Sequence, residues 1–481
     1  MNQQHSNLPN GFIKALQKSF AHNSFSIDPS DCWPYGYDYS QRHYCPSAIC
    51  FPSKAEDVIN VMKLCNEFKV PIIGRGGATN ATGAVVPIGP SIILSFERMD
   101  KILQVSPEDR YLCTQVGALN SQVQNAAQEV GFFWGPCPTS SDYSTIGGNL
   151  ACNASGARAL KYGSCRENTL GLTAVTGSGK LIHTGVKTTK TSVGYDLTRL
   201  LIGSEGTLAL IVNATLKLTP SPNTIYTSAI TYKSIEDATS AVSKIMSQPV
   251  VPYSLEFMDA GCLSIIRDLN PELIPKNAKA MLIVEIDANA KEIELAQASI
   301  IDAASCNILS INHAINNNDR AAIWHLRKSL PAALRKLAPK KLNEDIVVPI
   351  SKIPQFIKYT EELSEKFKLP IVNFGHAGNG NIHTNILYDP QNNRENEQVE
   401  QALSCLFDLV ISLGGSLSGE HGIGLEKQPF INKELDQNSI EIMSKIKQSF
   451  DPNNILNPGK IFKPTCQDVA QGPAVQSCEF D

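Results

Sequence analysis

The sequence predicts a multi-domain α+β chain, and three observations carry that reading. Short apolar, strand-like runs alternate with amphipathic helical segments from residue 46 to about 220. A proline-rich boundary, Leu218-Thr-Pro-Ser-Pro-Asn223, then interrupts the pattern. Beyond it a strand, helix, strand, helix run restarts, as expected of a separate α/β or α+β domain with helices on one face. At 481 residues the chain has length for two or three domains with sizeable cores.

The elements follow in order. Phe12 to Phe20 reads as a short helix, followed by the aromatic stretch Trp33-Pro-Tyr-Gly-Tyr-Asp-Tyr39. Ala48 to Pro52 is a strand. Ser53 then caps a helix as a capping box with Glu56, and Val58, Val61, Met62 and Cys65 fall at helical spacing. Strands are expected at Val70–Ile73, Ser91–Phe96, Leu112–Val116 and Leu208–Leu218, with a helix over Asn120–Val130. In the second half Ile225–Tyr232 and Met281–Ile286 read as strands, and Ile235–Met246 and Ala290–Ala304 as helices. The expected division is an extension (1–45), a first domain (46–220), a second domain (221–440), a closing segment (441–463) and a loose tail (464–481).

Composition removes several function classes. A net charge of −4 gives no global electrostatic case for binding nucleic acid. No apolar stretch approaches the roughly 18 residues of a membrane span, and Met1-Asn-Gln-Gln-His-Ser has neither part of a secretory signal, so a cytoplasmic location is expected. The thirteen cysteines are odd in number and include no CxxC pair. Cys65, Cys113, Cys152 and Cys405 read as reduced thiols in apolar or mixed surroundings, while Cys466 and Cys478 have the option of pairing under oxidation.

Gly74-Arg-Gly-Gly-Ala-Thr-Asn-Ala-Thr-Gly83 directly follows a strand. Glycines let backbone approach a ligand closely, so successive N–H groups can form an anion nest. The loop is neither GxGxxG nor GxxxxGK[ST], and the missing lysine argues against an NTPase. A second glycine- and hydroxyl-rich segment runs from Pro138 through Gly147-Gly148-Asn149 to Gly156, then Tyr162-Gly163, and a third is Gly203-Ser-Glu-Gly-Thr207. The first two can wrap a long phosphate-containing ligand from both sides.

The second half carries a metal-like set. His376-Ala-Gly-Asn-Gly-Asn-Ile-His383 brackets a turn, with His383 and Asn385 then on one face of a strand, and Glu420-His421 sits in a second turn. Two imidazoles and a carboxylate suit Zn²⁺ with open positions for substrate, and Fe²⁺ or Mn²⁺ would accept a similar set. His5, His22 and His313 read instead as surface or hydrogen-bonded core residues. Residues 324–341 hold six Lys/Arg and no acid, with Leu326, Leu330, Leu334 and Leu337 at helical spacing. Arg335, Lys336, Lys340 and Lys341 read as the solvated face of an amphipathic helix, which also offers contact with an anionic membrane surface.

The runs RGGATNATG (75–83), STIGGNLACNASG (144–156) and DLTRLLIGSEGTLALI (196–211) resemble, in this order, the flavin-binding half of the vanillyl-alcohol oxidase/PCMH superfamily. With a second domain and an Asn-Pro-Gly-Lys460 ending, the chain is similar to its D-lactate dehydrogenase, glycolate oxidase and D-2-hydroxyglutarate dehydrogenase branch over about 45–463. The resemblance implies a PCMH-type FAD-binding domain of two subdomains and an α/β substrate (cap) domain whose antiparallel sheet is covered by helices. It implies FAD on Arg75, Gly76, Gly77, Ala78, Thr79, Asn80 and Gly83, and on Pro138, Thr139, Ser140, Asp142, Thr145, Gly148 and Asn149. Further cofactor positions are Asn153, Ser155, Gly156, Tyr162, Gly163, Glu205, Gly206, Ile211 and Asn457. Some relatives attach FAD through a histidine in the first loop; Gly77-Ala-Thr-Asn80 has none, so non-covalent FAD is expected.

In the second half the resemblance matches His376, His383 and Glu420 to the ligands of a divalent metal, Zn²⁺ being the first expectation. It matches Asn385 and Arg327 to substrate-binding positions, and His421 to a substrate-facing catalytic base. The implied activity is oxidation of a D-2-hydroxy acid to the 2-keto acid. D-Lactate is favoured because Asn343 stands where D-2-hydroxyglutarate relatives carry lysine, although Lys340 and Lys341 lie close by. D-2-Hydroxyglutarate dehydrogenase, a glycolate oxidase subunit, or a metal-dependent hydrolase with a nucleotide-binding module remain alternatives. The sequence has no iron–sulfur or CxxCH haem motif, so a quinone, a cytochrome or an electron-transfer flavoprotein is the expected acceptor. Peripheral contact with the inner membrane face and a homodimer are further options.

Overall fold

A computed structural model describes residues 8–20, 24–305 and 307–463. The cysteines of the tail, Cys466 and Cys478, and His5 and His22 lie outside the described residues. The chain forms two compact units. Among the described residues the first comprises those within 8–155, 164–220 and 420–463, and the second those within 156–163 and 221–419.

The first unit contains two sheets. In one, Phe25–Ser26, Ala48–Cys50, Ile92–Ser95 and Ile72–Arg75 lie in that order, the last three parallel. Parallel pairing requires crossovers, and the helix Ala55–Phe68 supplies one, burying Val58, Val61, Met62 and Cys65. That helix does not start on the expected capping box. Its N-cap position is Lys54, and the Ser53 amide and hydroxyl both donate to the Asp57 carboxylate, at 2.9 Å each, so the cap runs in reverse. The other sheet is antiparallel: Ile102–Ser106, Tyr111–Gln115, Ala209–Pro220, Thr169–Thr176 and Leu181–Gly185, with Phe132–Trp134 also on Ala209–Pro220.

The second unit is a seven-stranded antiparallel sheet. Its order is Ile308–His313, Thr224–Tyr232, Ala280–Ala288, Ser254–Met258, Ile371–Gly375, Asn381–Tyr388 and Lys340–Val347. Helices Ala260–Ile266 and Asn317–Ala333 bury Leu263, Ile266, Ile323, Leu326, Leu330 and Phe374 in one cluster. The register Met258↔Phe374, Phe374↔His383, Asp345↔His383 and Asn343↔Asn385 places these side chains on one sheet face, because alternate strand residues share a face.

The basic run is not one helix. Asn317–Ala333 ends before it is complete, a 3₁₀ turn follows, and Lys340 and Lys341 begin the strand Lys340–Val347. Leu326, Leu330 and Leu334 are buried but Leu337 is 44 % exposed. Lys341 is not a solvated face residue: it is half-buried, its Nζ donates to the Pro331 carbonyl at 3.2 Å, and burial with nearby Arg335 pulls its pKa down. Arg335, Lys336 and Lys340 are exposed as expected. No helix among the described residues is long and apolar enough to cross a membrane.

Candidate active site

In the first unit the glycine loop leaves the strand Ile72–Arg75 and packs closely on the turn before the helix Ile146–Cys152. A Cβ on Gly77 would lie 2.1 Å from the Tyr143 carbonyl, so only glycine permits this approach. Pro138, Thr139, Ser140 and Asp142 form the turn itself, and Thr145 caps the helix by accepting from the Gly148 amide at 3.2 Å. Asn149 Nδ2 and Ser144 Oγ are buried here with no hydrogen-bond partner among the described residues. Buried polar groups are normally paired, so an amide donor and a hydroxyl left open beside a glycine loop fit an acceptor-rich ligand such as FAD. Ser144 carries no such role in the motif reading; its orphaned hydroxyl is the signal that finds it.

Other predicted cofactor positions have structural partners of their own. The Arg75 guanidinium donates to the Tyr37 carbonyl at 2.6 Å and the Pro34 carbonyl at 3.4 Å, tying down the aromatic N-terminal stretch. Asn80 Nδ2 donates to the His421 carbonyl at 2.6 Å, and its Oδ1 accepts from the Thr82 amide and hydroxyl. Glu205, in left-handed backbone conformation beside Gly206, is buried and accepts from the amides of Ile423 (2.6 Å) and Gly424 (2.9 Å). Burial pushes its carboxyl pKa up, while those two amides pull it back. Asn457 Nδ2 bridges the Ala84 and Glu205 carbonyls at 2.8 and 2.7 Å. Asn153 accepts from the Ser164 hydroxyl and the Arg166 amide, and Ile211 is buried on its strand. The Ser155 hydroxyl donates to Glu420 at 2.6 Å. Thus Ser155, Asn80 and Glu205 together shape the loop that carries Glu420 and His421. Gly156, Tyr162 and Gly163 belong to the second unit, where the Tyr162 hydroxyl donates to Asp287.

In the second unit His376 and His383 are brought together, ring centroids 5.3 Å apart and edge to face. The turn between them closes at Gly380, whose φ is +74° and whose Cβ would fall 1.9 Å from the Val348 carbonyl. Behind His376 stands Glu256, on the strand Ser254–Met258. Its Oε1 lies 2.5 Å from His376 Nδ1 and its Oε2 accepts from Arg327 Nε at 2.8 Å. Burial would raise this carboxyl, but the His376 and Arg327 charges and hydrogen bonds outweigh it and hold the pKa at about 2. An ionised carboxylate only accepts, so it takes the hydrogen bond from His376 Nδ1–H, and when the ring is neutral Nε2 is then the lone-pair nitrogen a metal ligand needs.

Arg327 is buried and lies over the Phe374 ring at 4.5 Å. Its Nη groups donate to no side chain or carbonyl among the described residues, so the end of the fork is available to a carboxylate. His383 Nδ1 is 3.9 Å from Asp345 Oδ1. Asn385 Nδ2 donates to the carbonyls of Val372 and His383, and its buried Oδ1 has no hydrogen-bond partner among the described residues. Asp345, fully buried, accepts from Asn381 Nδ2 (2.6 Å), Ser418 Oγ (3.3 Å) and the Gly419 amide (3.0 Å). The motif reading misses Glu256. Its trace in the sequence is a lone carboxylate within the apolar strand Ser254-Leu-Glu-Phe-Met258. His313 is a hydrogen-bonded edge residue, bonded to Tyr226 and Ser228.

Residues 46–185 match the FAD binding domain, and residues 221–461 match the C-terminal domain of FAD linked oxidases. The chain belongs to the FAD-linked oxidases. It is 37 % identical to the glycolate oxidase subunit GlcD of Bacillus subtilis over 432 residues, 89 % of this chain and 92 % of that one. It is 35 % identical to the D-lactate dehydrogenase of Archaeoglobus fulgidus over 442 residues, 90 % and 96 % of the two chains. Its fold is that of p-cresol methylhydroxylase, with TM-score 0.77 at 17 % identity over 95 % of this chain and 98 % of that one. The expected VAO/PCMH-type architecture therefore holds for this FAD-linked oxidase, and membership of an oxidoreductase family removes the hydrolase reading.

Proposed function

We propose that this FAD-linked oxidase is a dehydrogenase that oxidises a D-2-hydroxy acid, D-lactate first, to the 2-keto acid, with an electron acceptor other than NAD. The observation behind this reading is Glu256, which holds a candidate metal-ligating histidine and a carboxylate-gripping arginine on its two oxygens. A 2-hydroxy acid presents those two needs on adjacent carbons: a carboxylate to bind and a hydroxyl to deprotonate. The relatives named D-lactate dehydrogenase and glycolate oxidase support the substrate class.

FAD, when bound, supplies hydride acceptance at N5, and Asn149, Ser144 and the loop 76–83 would hold it non-covalently. A divalent metal, when bound, supplies Lewis acidity, and His376, His383 and Glu420 would hold it; the donor set suits Zn²⁺, with Fe²⁺ and Mn²⁺ accepted by the same chemistry. Arg327 grips the substrate carboxylate with its Nη groups and so fixes C2. His421 takes the hydroxyl proton. Asn385 presents its open Oδ1 to a substrate donor. The flanking Asn343 adds no positive charge, which favours a monocarboxylic acid over a dicarboxylic one.

Anaerobic mixing of the FAD-loaded protein with a panel of D- and L-2-hydroxy acids tests the proposal. Bleaching of the visible flavin band by D-lactate supports it. A band that D-2-hydroxyglutarate or glycolate bleaches and D-lactate does not would move the assignment to those acids. A band that no hydroxy acid bleaches would overturn it.

A further inference from the structure

The geometry around Glu256 points to a role that deepens the proposed reading and rests on it. We infer that Glu256 is a positioning residue coupling two functions, metal ligation through His376 and carboxylate binding through Arg327. Each oxygen serves one partner. Oε1 accepts the His376 Nδ1 proton, and Oε2 accepts the Arg327 Nε proton. The carboxylate is 1 % exposed, so water does not stand in for either partner. Arg327 is equally constrained, rooted on the helix Asn317–Ala333 with its guanidinium over the Phe374 ring. The imidazole is held from the side of Nδ1, and the guanidinium from the side of Nε. The consequence is that His376 Nε2 and the Arg327 Nη groups are each presented away from a common hub.

Glutamine makes the idea testable, because an amide accepts on one side and donates on the other. In E256Q, if the amide oxygen turns to Arg327, its NH₂ meets the His376 Nδ1 proton. The ring must then lose the hold or move that proton to Nε2, the nitrogen a metal would need. If the oxygen turns to His376, the NH₂ meets the Arg327 Nε–H and the fork loses its anchor. One function or the other is sacrificed.

The experiment measures Zn²⁺ affinity of the FAD-loaded full chain by competition with a chromogenic chelator, together with KM and kcat for D-lactate at saturating Zn²⁺. E256Q is expected either to bind Zn²⁺ about 10- to 100-fold more weakly or to raise KM about 10-fold or more with a smaller fall in kcat. E256D keeps the charge but is one methylene too short to span both partners, so it gives the same pattern if E256Q folds poorly. R327K should raise KM and leave Zn²⁺ affinity unchanged. E256Q or E256D with both wild-type Zn²⁺ affinity and wild-type KM, at an unchanged melting temperature, would overturn the coupling. Wild-type Zn²⁺ affinity in H383A would instead sink the metal reading itself, whatever Glu256 does.

Discussion

The side-chain amide of Asn80 donates to the main-chain carbonyl of His421 at 2.6 Å, joining two loops 341 residues apart in the chain. The glycine loop assigned to the cofactor thus also shapes the loop that carries the proposed base. Removing the amide in N80A should leave FAD bound but let the His421 loop drift. Loss of orientation on this scale costs on the order of 10- to 100-fold in the rate of flavin reduction. Stopped-flow reduction of N80A by D-lactate, with FAD content measured in parallel, checks this; an undiminished rate would show that the contact is structural only.

Glu205 is the second strut of the same loop. E205A would leave the Ile423 and Gly424 amides without their acceptor in a buried setting, which costs about 1–3 kcal/mol of stability. Chemical denaturation with FAD present should show that loss. A midpoint equal to wild type would mean water replaces the carboxylate.

How much of the molecule is legible in the sequence follows physical lines. The buried helix Ala55–Phe68 and the strands around Ile93, Leu112 and Leu282 are readable because periodic apolar residues declare a buried face. The glycine loops are readable as ligand loops because close backbone approach leaves a residue-type signature. Partners distant in sequence are not readable. Glu256 meets Arg327 71 residues away and His376 120 residues away, and no local pattern announces such a pairing. The same blindness hides that Asn80 and Glu205, expected at the cofactor, have side chains engaged with the 421–424 loop. Lys341 departs from expectation because the basic pattern runs on across Pro339, where the chain changes from helix to strand.

Lys460 gives a pH signature. Its Nζ is buried, donates to the Val86 carbonyl at 2.7 Å, and burial brings its pKa down to about 8 from the ordinary 10.5. Between these values the unfolded chain binds more protons at this site than the folded one, so this site's contribution to stability rises with pH across that window and is smallest below 8. K460M should therefore gain less stability than wild type when urea midpoints are compared at the two ends of the window. Parallel curves for the two proteins would contradict the assignment.

Substituting Arg327 separates binding from chemistry. R327M should raise KM for D-lactate by about 10- to 100-fold, since a bidentate charged contact is lost, with flavin content unchanged. A fall in kcat at constant KM would place the carboxylate elsewhere.

Joint use of a divalent metal and FAD to oxidise a D-2-hydroxy acid is open to one direct measurement. The purified protein, FAD retained, is stripped with a chelator, and D-lactate is added anaerobically before and after Zn²⁺ or Mn²⁺ is restored. D-Lactate should fail to bleach the flavin band in the stripped protein and bleach it once metal is returned, with L-lactate inactive in both. Equal bleaching with and without metal, or none in either state, would refute the proposed chemistry.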